Sequence, residues 1–130
     1  MKAILILLLL FFPLSLIGQG LICCKSVEKV ETFLNGNWEK KDSDLNKLYQ
    51  FKFISGIGEA QICTINNDGT LTLVENSKSV IKVLKIENGF KLEYDWGNLK
   101  TYSGIKYLDS NRLILTRRDG KEALMYRTSE

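Results

Sequence analysis

The sequence predicts an all-β protein: an up-and-down antiparallel barrel of eight or nine strands, preceded by one short helix. Turn-forming pairs such as Asn-Gly and Asp-Gly recur along the chain, mostly 8 to 13 residues apart. Between them lie runs rich in β-branched, aromatic and leucine residues, a pattern typical of an antiparallel meander. So many short strands must close on themselves or form two layers, because long open edges invite aggregation. The absence of a long crossover connection favours the barrel.

Residues 1–18 are predicted to be a secretory signal peptide that precedes the folded domain. Lys2 is followed by an uninterrupted apolar run over residues 3–12, then by a proline and a less apolar stretch that ends at Gly18. The run is shorter than the roughly 20 apolar residues of a membrane span. We therefore expect export and cleavage near Gly18, with an uncleaved membrane anchor as the alternative.

The next segment, residues 19–35, is predicted to contain a short amphipathic helix. Apolar residues recur in it at three- and four-residue spacing, at Val27, Val30 and Leu34. Ser26 suits the N-cap, and Asn35-Gly36 stands where a left-handed C-cap would end the helix. The barrel domain is expected to follow directly, over residues 36–130.

Nine strands are expected between the turn residues. They cover roughly residues 37–41, 48–54, 59–66, 70–74, 79–86, 90–96, 99–107, 112–117 and 121–128. In the clearest of them, 90–96, apolar residues alternate strictly with charged ones, which predicts one buried and one solvated face. The same alternation assigns the following side chains to the barrel interior: Tyr49, Phe51, Phe53, Leu71, Leu73, Phe90, Leu92, Tyr94, Trp96, Leu113, Leu115 and Tyr126.

The composition excludes several functional classes. The chain has no histidine, which removes Ser-His and Cys-His catalysis and the commonest zinc and iron ligand sets. The aspartates lie mostly in or beside predicted turns, and no pair of carboxylates is placed for acid–base chemistry. The formal net charge is only +3, without the basic cluster that nucleic-acid binding requires. We therefore expect no enzyme, no metal site, no cofactor and no nucleic-acid partner.

Three cysteines, Cys23, Cys24 and Cys63, are present. Oxidising conditions after export favour one disulfide. Pairing of Cys63 with Cys23 or Cys24 would tie the N-terminal segment to the barrel, and Cys24–Cys63 is the pair we expect. A Cys23–Cys24 bridge would close a very tight ring and is less favoured. Lipid attachment to Cys23 or Cys24 is a further alternative, although Ile22 is not the small residue that lipoprotein signals place before the cysteine. Membrane association is expected only with such a lipid or with an uncleaved signal.

The order of these features resembles the lipocalin family, or more broadly the calycins. A short helix is followed by Gly36-Asn37-Trp38 at the start of the first strand, and then by the meander. The resemblance implies that Gly36 allows close passage of the chain at the closed end of the barrel and that Trp38 plugs that end. It also implies that a basic residue near the last strand packs across the indole, with Arg127 the first choice and Arg117 the second.

The later strands also resemble those of small bacterial lipocalin-like proteins. An aromatic residue, an Ile-Xaa-Xaa-Leu step and a turn into an Xaa-Leu-Xaa-Leu strand occur at Tyr102, Ile105, Leu108, Leu113 and Leu115. The second lipocalin motif, Thr-Asp-Tyr, is missing, and so is the long helix that follows the barrel in typical members. A minimal bacterial lipocalin-like domain in the periplasm, in the cell envelope or outside the cell therefore fits better than a typical extracellular transporter.

The resemblance implies a binding function. The barrel is expected to hold a small hydrophobic molecule against these residues: Tyr49, Phe51, Phe53, Tyr94, Trp96 and Tyr126. The tyrosine hydroxyls could orient a polar group on that molecule. The alternative is a non-enzymatic envelope or protein-interaction barrel whose interior is filled by its own side chains, since an eight-stranded barrel can take either form.

Overall fold

The structure, a computed structural model, describes residues 21–40 and 46–128. The predicted signal peptide and its cleavage position therefore lie outside the described residues. Helix α1 spans Val27–Leu34, and the backbone N–H of Lys29 donates to the Ser26 hydroxyl at its N-terminus. The helix buries Val30 and Leu34, as the apolar spacing predicts. The helix ends at the predicted pair, where Asn35 is the C-cap with a φ of −57° and the positive φ, +133°, falls on Gly36.

All nine predicted strands are present. They are β1 (Gly36–Lys40), β2 (Lys47–Ile54), β3 (Ile57–Ile65), β4 (Leu71–Leu73), β5 (Ser79–Ile86), β6 (Gly89–Asp95), β7 (Lys100–Leu108), β8 (Arg112–Thr116) and β9 (Glu122–Arg127).

Eight of these strands form a closed antiparallel barrel. β1 pairs with both β2 and β9, and the chain of pairings runs from β2 through β3, β5, β6, β7 and β8 to β9. Trp38 lies opposite Tyr49 on one side and opposite Arg127 on the other. The first and last strands thus close the barrel, and the predicted fold class is confirmed.

Strand β4 is an addition to the barrel rather than a member of it. Residues 58–60 of β3 pair with β5, whereas residues 63–65 pair with β4. Leu71 and Leu73 on β4 are about half exposed, at 48% and 52%, so the prediction that they face the interior is wrong. Alternation shows that one face of a strand is apolar, but it does not show whether that strand belongs to the barrel.

The interior changes in character from one end of the barrel to the other. Helix α1 lies at the closed end, while the loops 66–70, 96–99 and 117–121 surround the open end. Large buried side chains fill the closed end and the middle: Leu34, Trp38, Phe51, Ile81, Phe90, Leu92, Ile105, Leu108, Leu113 and Met125. Towards the open end the inner face carries smaller side chains, among them Ala60, Ser79 and Ala123.

Two further predictions need correction. Tyr126 is 37% exposed on the outside, because Met125 pairs with the buried Leu113 and takes the inner position on β9. The disulfide joins Cys23 to Cys24, not Cys24 to Cys63. Cys24 packs into the core beside α1, whereas Cys63 is a free, buried thiol on the opposite face of β3 from the core, so the two cannot meet.

Candidate functional site

The closed end is organised by Trp38 and Arg127. Trp38 is fully buried, and its Nε1 donates a hydrogen bond of 2.8 Å to the carbonyl of Leu34. The Arg127 guanidinium lies 4.2 Å from the centre of the indole ring, which is the cation–π contact that the resemblance implied. Because these two residues are opposite one another in the β1–β9 pairing, the contact follows directly from closure of the barrel.

Arg127 also holds the end of α1. It donates to the carbonyls of Phe33 and Asn35, the latter over 2.9 Å, and its Nε donates to the Ser110 carbonyl over 2.6 Å. Together with the Trp38 bond, this satisfies three successive carbonyls at the helix C-terminus, which have no partners within a helix. Burial lowers the pKa of Arg127, yet an arginine remains charged at neutral pH and suits the negative end of the helix dipole.

Gly36 leaves the space that Arg127 occupies. A Cβ at this position would lie 2.5 Å from Nη1 of Arg127, and the φ of +133° is one that other residues rarely adopt. Gly36, Trp38 and Arg127 therefore form one structural unit.

At the open end, three of the six predicted ligand residues come together. Tyr94 and Trp96 stack with ring centroids 6.3 Å apart, and Nε1 of Trp96 donates to Thr101 over 2.9 Å. Burial raises the pKa of Tyr94, a hydrogen bond with Ser103 opposes the rise, and the neighbouring Tyr49 adds to it. Trp96 itself is 38% exposed, so it forms the outermost part of an aromatic mouth, the name used below for Tyr49, Tyr94 and Trp96.

The remaining predicted ligand residues are placed elsewhere. Phe51 is buried in the middle of the core, and Phe53 packs against that core near α1. Tyr126 lies on the outside of β9. The inner wall thus includes five of the six residues, but only the aromatic mouth is positioned to meet a molecule that arrives from solvent.

Ser79 is a site residue that the sequence did not indicate. It is 94% buried, since only 6% of its surface is exposed, and its hydroxyl has no hydrogen-bond partner among the described residues. Val80 pairs with Asp95, so Ser79 and Trp96 are the next positions along the two strands and share the inner face. The sequence placed Ser79 in the predicted strand 79–86 but assigned it no role, although its alternation with the apolar Ile81 and Val83 was a usable signal for the inner face.

Ser77, two residues earlier, is also buried, but its hydroxyl is hydrogen-bonded. It is 7% exposed. Its hydroxyl accepts from the backbone N–H of Ile62 over 3.1 Å and lies 2.7 Å from the carbonyl of Val74, to which it donates. Unpartnered buried hydroxyls are uncommon and costly, so the contrast marks Ser79 as a position where a polar group of a ligand would be stabilised.

Two lysines complete the inner face at this end. Lys40 and Lys47 lie opposite each other in the β1–β2 pairing, on the same face as Trp38. Neither makes an ion pair with the described residues. Their charges favour a ligand with an anionic head group.

Surface concavities of 370 to 700 Å³ lie around the outside of the barrel and beside α1. Within residues 21–40 and 46–128, no group of His, Cys, Asp and Glu side chains could hold a metal ion. In the same part of the chain, no helix has both the length and the apolar character needed to cross a membrane.

The closed eight-stranded barrel with its short leading helix is consistent with a calycin-like fold. Comparison with protein-family models, with curated proteins and with solved structures finds no match to this chain.

Proposed function

We propose that this chain is an exported, bacterial, lipocalin-like binding protein that takes a small apolar molecule at the open end of its barrel and catalyses no reaction. The observation that carries the proposal is the buried hydroxyl of Ser79, which has no partner among the described residues and lies on the inner face next to Trp96. Ligand sites combine apolar walls with a few such polar groups.

The ligand would enter by displacing Trp96. The Ser79 hydroxyl is inaccessible to solvent, so a side chain must move before a ligand can reach it. Trp96 is the outermost member of the aromatic mouth and is held by one side-chain hydrogen bond and by stacking on Tyr94. The apolar part of the ligand would then pack on Tyr49 and Tyr94, and its polar group would bond to Ser79.

The class of ligand follows from the charges near the site. Lys40 and Lys47 face the interior at the open end, and a carboxylate head would be attracted to them. A fatty acid therefore fits better than a neutral or cationic apolar molecule. The apolar N-terminal stretch of the sequence supports export, since it has the length and flanks of a signal peptide.

The test is titration of the purified protein with a fluorescent fatty acid. We expect saturable uptake with quenching of Trp96. Ser79→Val should raise the Kd about tenfold, because the valine side chain takes the place of the ligand's polar group and removes the hydroxyl to which that group would bond. In Trp96→Phe the remaining tryptophan is Trp38 at the closed end, so uptake should persist while the quenching is lost.

Tyr126→Phe is the matched control, because it alters an aromatic residue on the outside of the barrel and should leave the Kd unchanged. Uptake that Ser79→Val does not weaken would place the ligand elsewhere. A wild-type protein that takes up no apolar probe would refute the proposal.

The second candidate is a protein-interaction barrel with a filled core. It is favoured by the large side chains that occupy the closed end and the middle of the barrel, where Phe51, Ile81 and Leu92 are all buried. It predicts no uptake, and native mass spectrometry of the purified protein should then show a mass without any bound lipid.

A further inference from the structure

A groove of about 670 Å³ runs along the outer face of β6, β7 and β8, away from the barrel interior. Its lining includes Lys91, Lys100, Tyr102, Gly104, Thr116 and Arg118. The groove is within the size range of small-molecule sites.

The groove is lined by cations and by no carboxylate. Lys91, Lys100, Arg117 and Arg118 line it. Lys100 and Arg117 each approach one neighbouring carboxylate at 3.8 Å. Lys91 and Arg118 make no ion pair within the described residues, and Lys91 instead lies 4.6 Å from the centre of the Tyr102 ring. An anion in the groove would thus meet two charges that are not already neutralised.

The floor of the groove depends on Gly104. A Cβ there would lie 2.4 Å from Oγ1 of Thr116, which stands opposite on β8. Since no side chain rises from Gly104, the Thr116 hydroxyl can lie over its backbone and forms the floor of the groove between Lys91 and Tyr102. The Tyr102 hydroxyl also borders the groove, where it donates a long hydrogen bond of 3.4 Å to Glu93 that a sugar hydroxyl would have to replace. An exposed Ile86 lies at the closed-end rim of the groove.

Other grooves on the same protein lack this one-sided charge. The groove beside β2 and β3 places Lys52 and Lys78 next to Glu59. The one beside α1 places Glu28 and Glu31 next to Lys82. The cationic lining is therefore a local property of the β6–β8 face and not a consequence of the modest net charge of +3.

We propose that the β6–β8 groove binds an anionic oligosaccharide, with uronate or sulfate groups on Lys91 and Arg118 and sugar hydroxyls on Tyr102 and Thr116. Guanidinium groups bind such planar or tetrahedral anions through paired hydrogen bonds. The apolar Ile86 can pack on the C–H face of a sugar ring. This site lies outside the barrel and is independent of ligand uptake at the aromatic mouth.

Two other polyanions fit the groove less well. Single-stranded nucleic acid is bound through several exposed aromatic faces, and this groove has one tyrosine whose ring is covered by Lys91. An anionic membrane is flat, whereas these cations line a concavity. The shape and the hydroxyls therefore favour a soluble, flexible chain of acidic sugars.

The test is binding of a heparin-derived tetrasaccharide to the purified protein, followed by calorimetry and by amide chemical shifts. We expect binding that weakens strongly as salt is raised, with the largest shifts at Tyr102, Gly104 and Thr116. Lys91→Gln/Arg118→Gln should weaken binding about tenfold, since each exposed charge contributes about three- to fivefold.

Lys52→Gln/Lys78→Gln is the matched control, because it removes the same net charge from the mixed groove and should leave the affinity nearly unchanged. Equal losses in the two double variants would show attraction to overall charge and overturn the site. Absence of tetrasaccharide binding at low salt would overturn it as well. Binding to phosphatidylglycerol vesicles without binding to the tetrasaccharide would assign the groove to a lipid surface instead.

Discussion

Two buried serines, two residues apart, differ in whether their hydroxyls are satisfied. Ser77 bonds to the backbone of Ile62 and Val74, whereas Ser79 has no partner among the described residues. We expect Ser79→Ala to stabilise the ligand-free protein by about 1 kcal/mol, because an unsatisfied group is removed, and Ser77→Ala to destabilise it by about 1 to 2 kcal/mol. Urea unfolding with an unchanged m-value measures both.

The test depends on the two substitutions changing the free energy of unfolding in opposite directions. A loss of stability in Ser79→Ala would mean that its hydroxyl already has a partner, and would remove the support for a polar ligand group at that position. A gain of stability in Ser79→Ala would show that the hydroxyl costs stability in the ligand-free protein, as groups in binding sites commonly do, and would support the proposed ligand site.

The roles of single residues were predicted correctly where a motif required one residue type. They were predicted wrongly where neighbouring residues were equally apolar and either could face the interior. The contact of Trp38 with Arg127 was implied by the resemblance that rests on Gly36-Asn37-Trp38 before the meander, with Arg117 as the second choice. On β9, however, Leu124, Met125 and Tyr126 are all apolar enough for the interior, so the inner face could not be chosen from alternation. The pairing of Met125 with Leu113 decides it, and that pairing is not visible in the local sequence.

At the scale of elements, the contacts between α1, β1 and β9 hold the closed end of the barrel together. Gly36→Ala would place a Cβ against Nη1 of Arg127 and retain an unfavourable φ. We expect a loss of about 3 kcal/mol in the free energy of unfolding, combining backbone strain with lost Arg127 hydrogen bonds. Thermal and urea unfolding provide the measurement.

Gly89→Ala separates the two causes. Gly89 also has a positive φ, +152°, but a Cβ there would meet nothing within 4 Å. Its loss should be about 1 to 2 kcal/mol, the strain alone. If the two variants were equally destabilised, the contact between Gly36 and Arg127 would contribute nothing, and the closed end would be held by other interactions.

Element boundaries were foreseeable because Asn-Gly, Asp-Gly and related turns punctuate the chain at almost every hairpin. The role of β4 was not, because it depends on β3 pairing with β5 along one part of its length and with β4 along another. The cysteine pairing failed for a similar reason. Cys63 is on the face of β3 away from the core, and only the strand register reveals this.

For the molecule as a whole, the number of short strands predicted either a closed barrel or two packed layers, because an open sheet would leave exposed edges. The absence of a long crossover connection then favoured the barrel. The pairing of β1 with β9 then joins the two ends of the barrel sequence. The sequence could not predict how far side chains fill the barrel interior. The filling depends on the tilt of the strands and on which large side chains lie at the same height along the barrel axis. One core cluster runs from Leu34 in α1 to Ala123 near the open end.

A single connected core predicts that the barrel unfolds as one unit. The protein has two tryptophans, Trp38 at the closed end and Trp96 at the open end. In Trp96→Phe, fluorescence reports the closed end alone, while far-UV circular dichroism reports the whole sheet. We expect the two urea midpoints to coincide, and a saturating fatty acid to raise both together, because a ligand bound at the open end stabilises the entire folded state. Separate midpoints, or a ligand that shifts only the circular dichroism transition, would show that the aromatic mouth opens independently of the closed end.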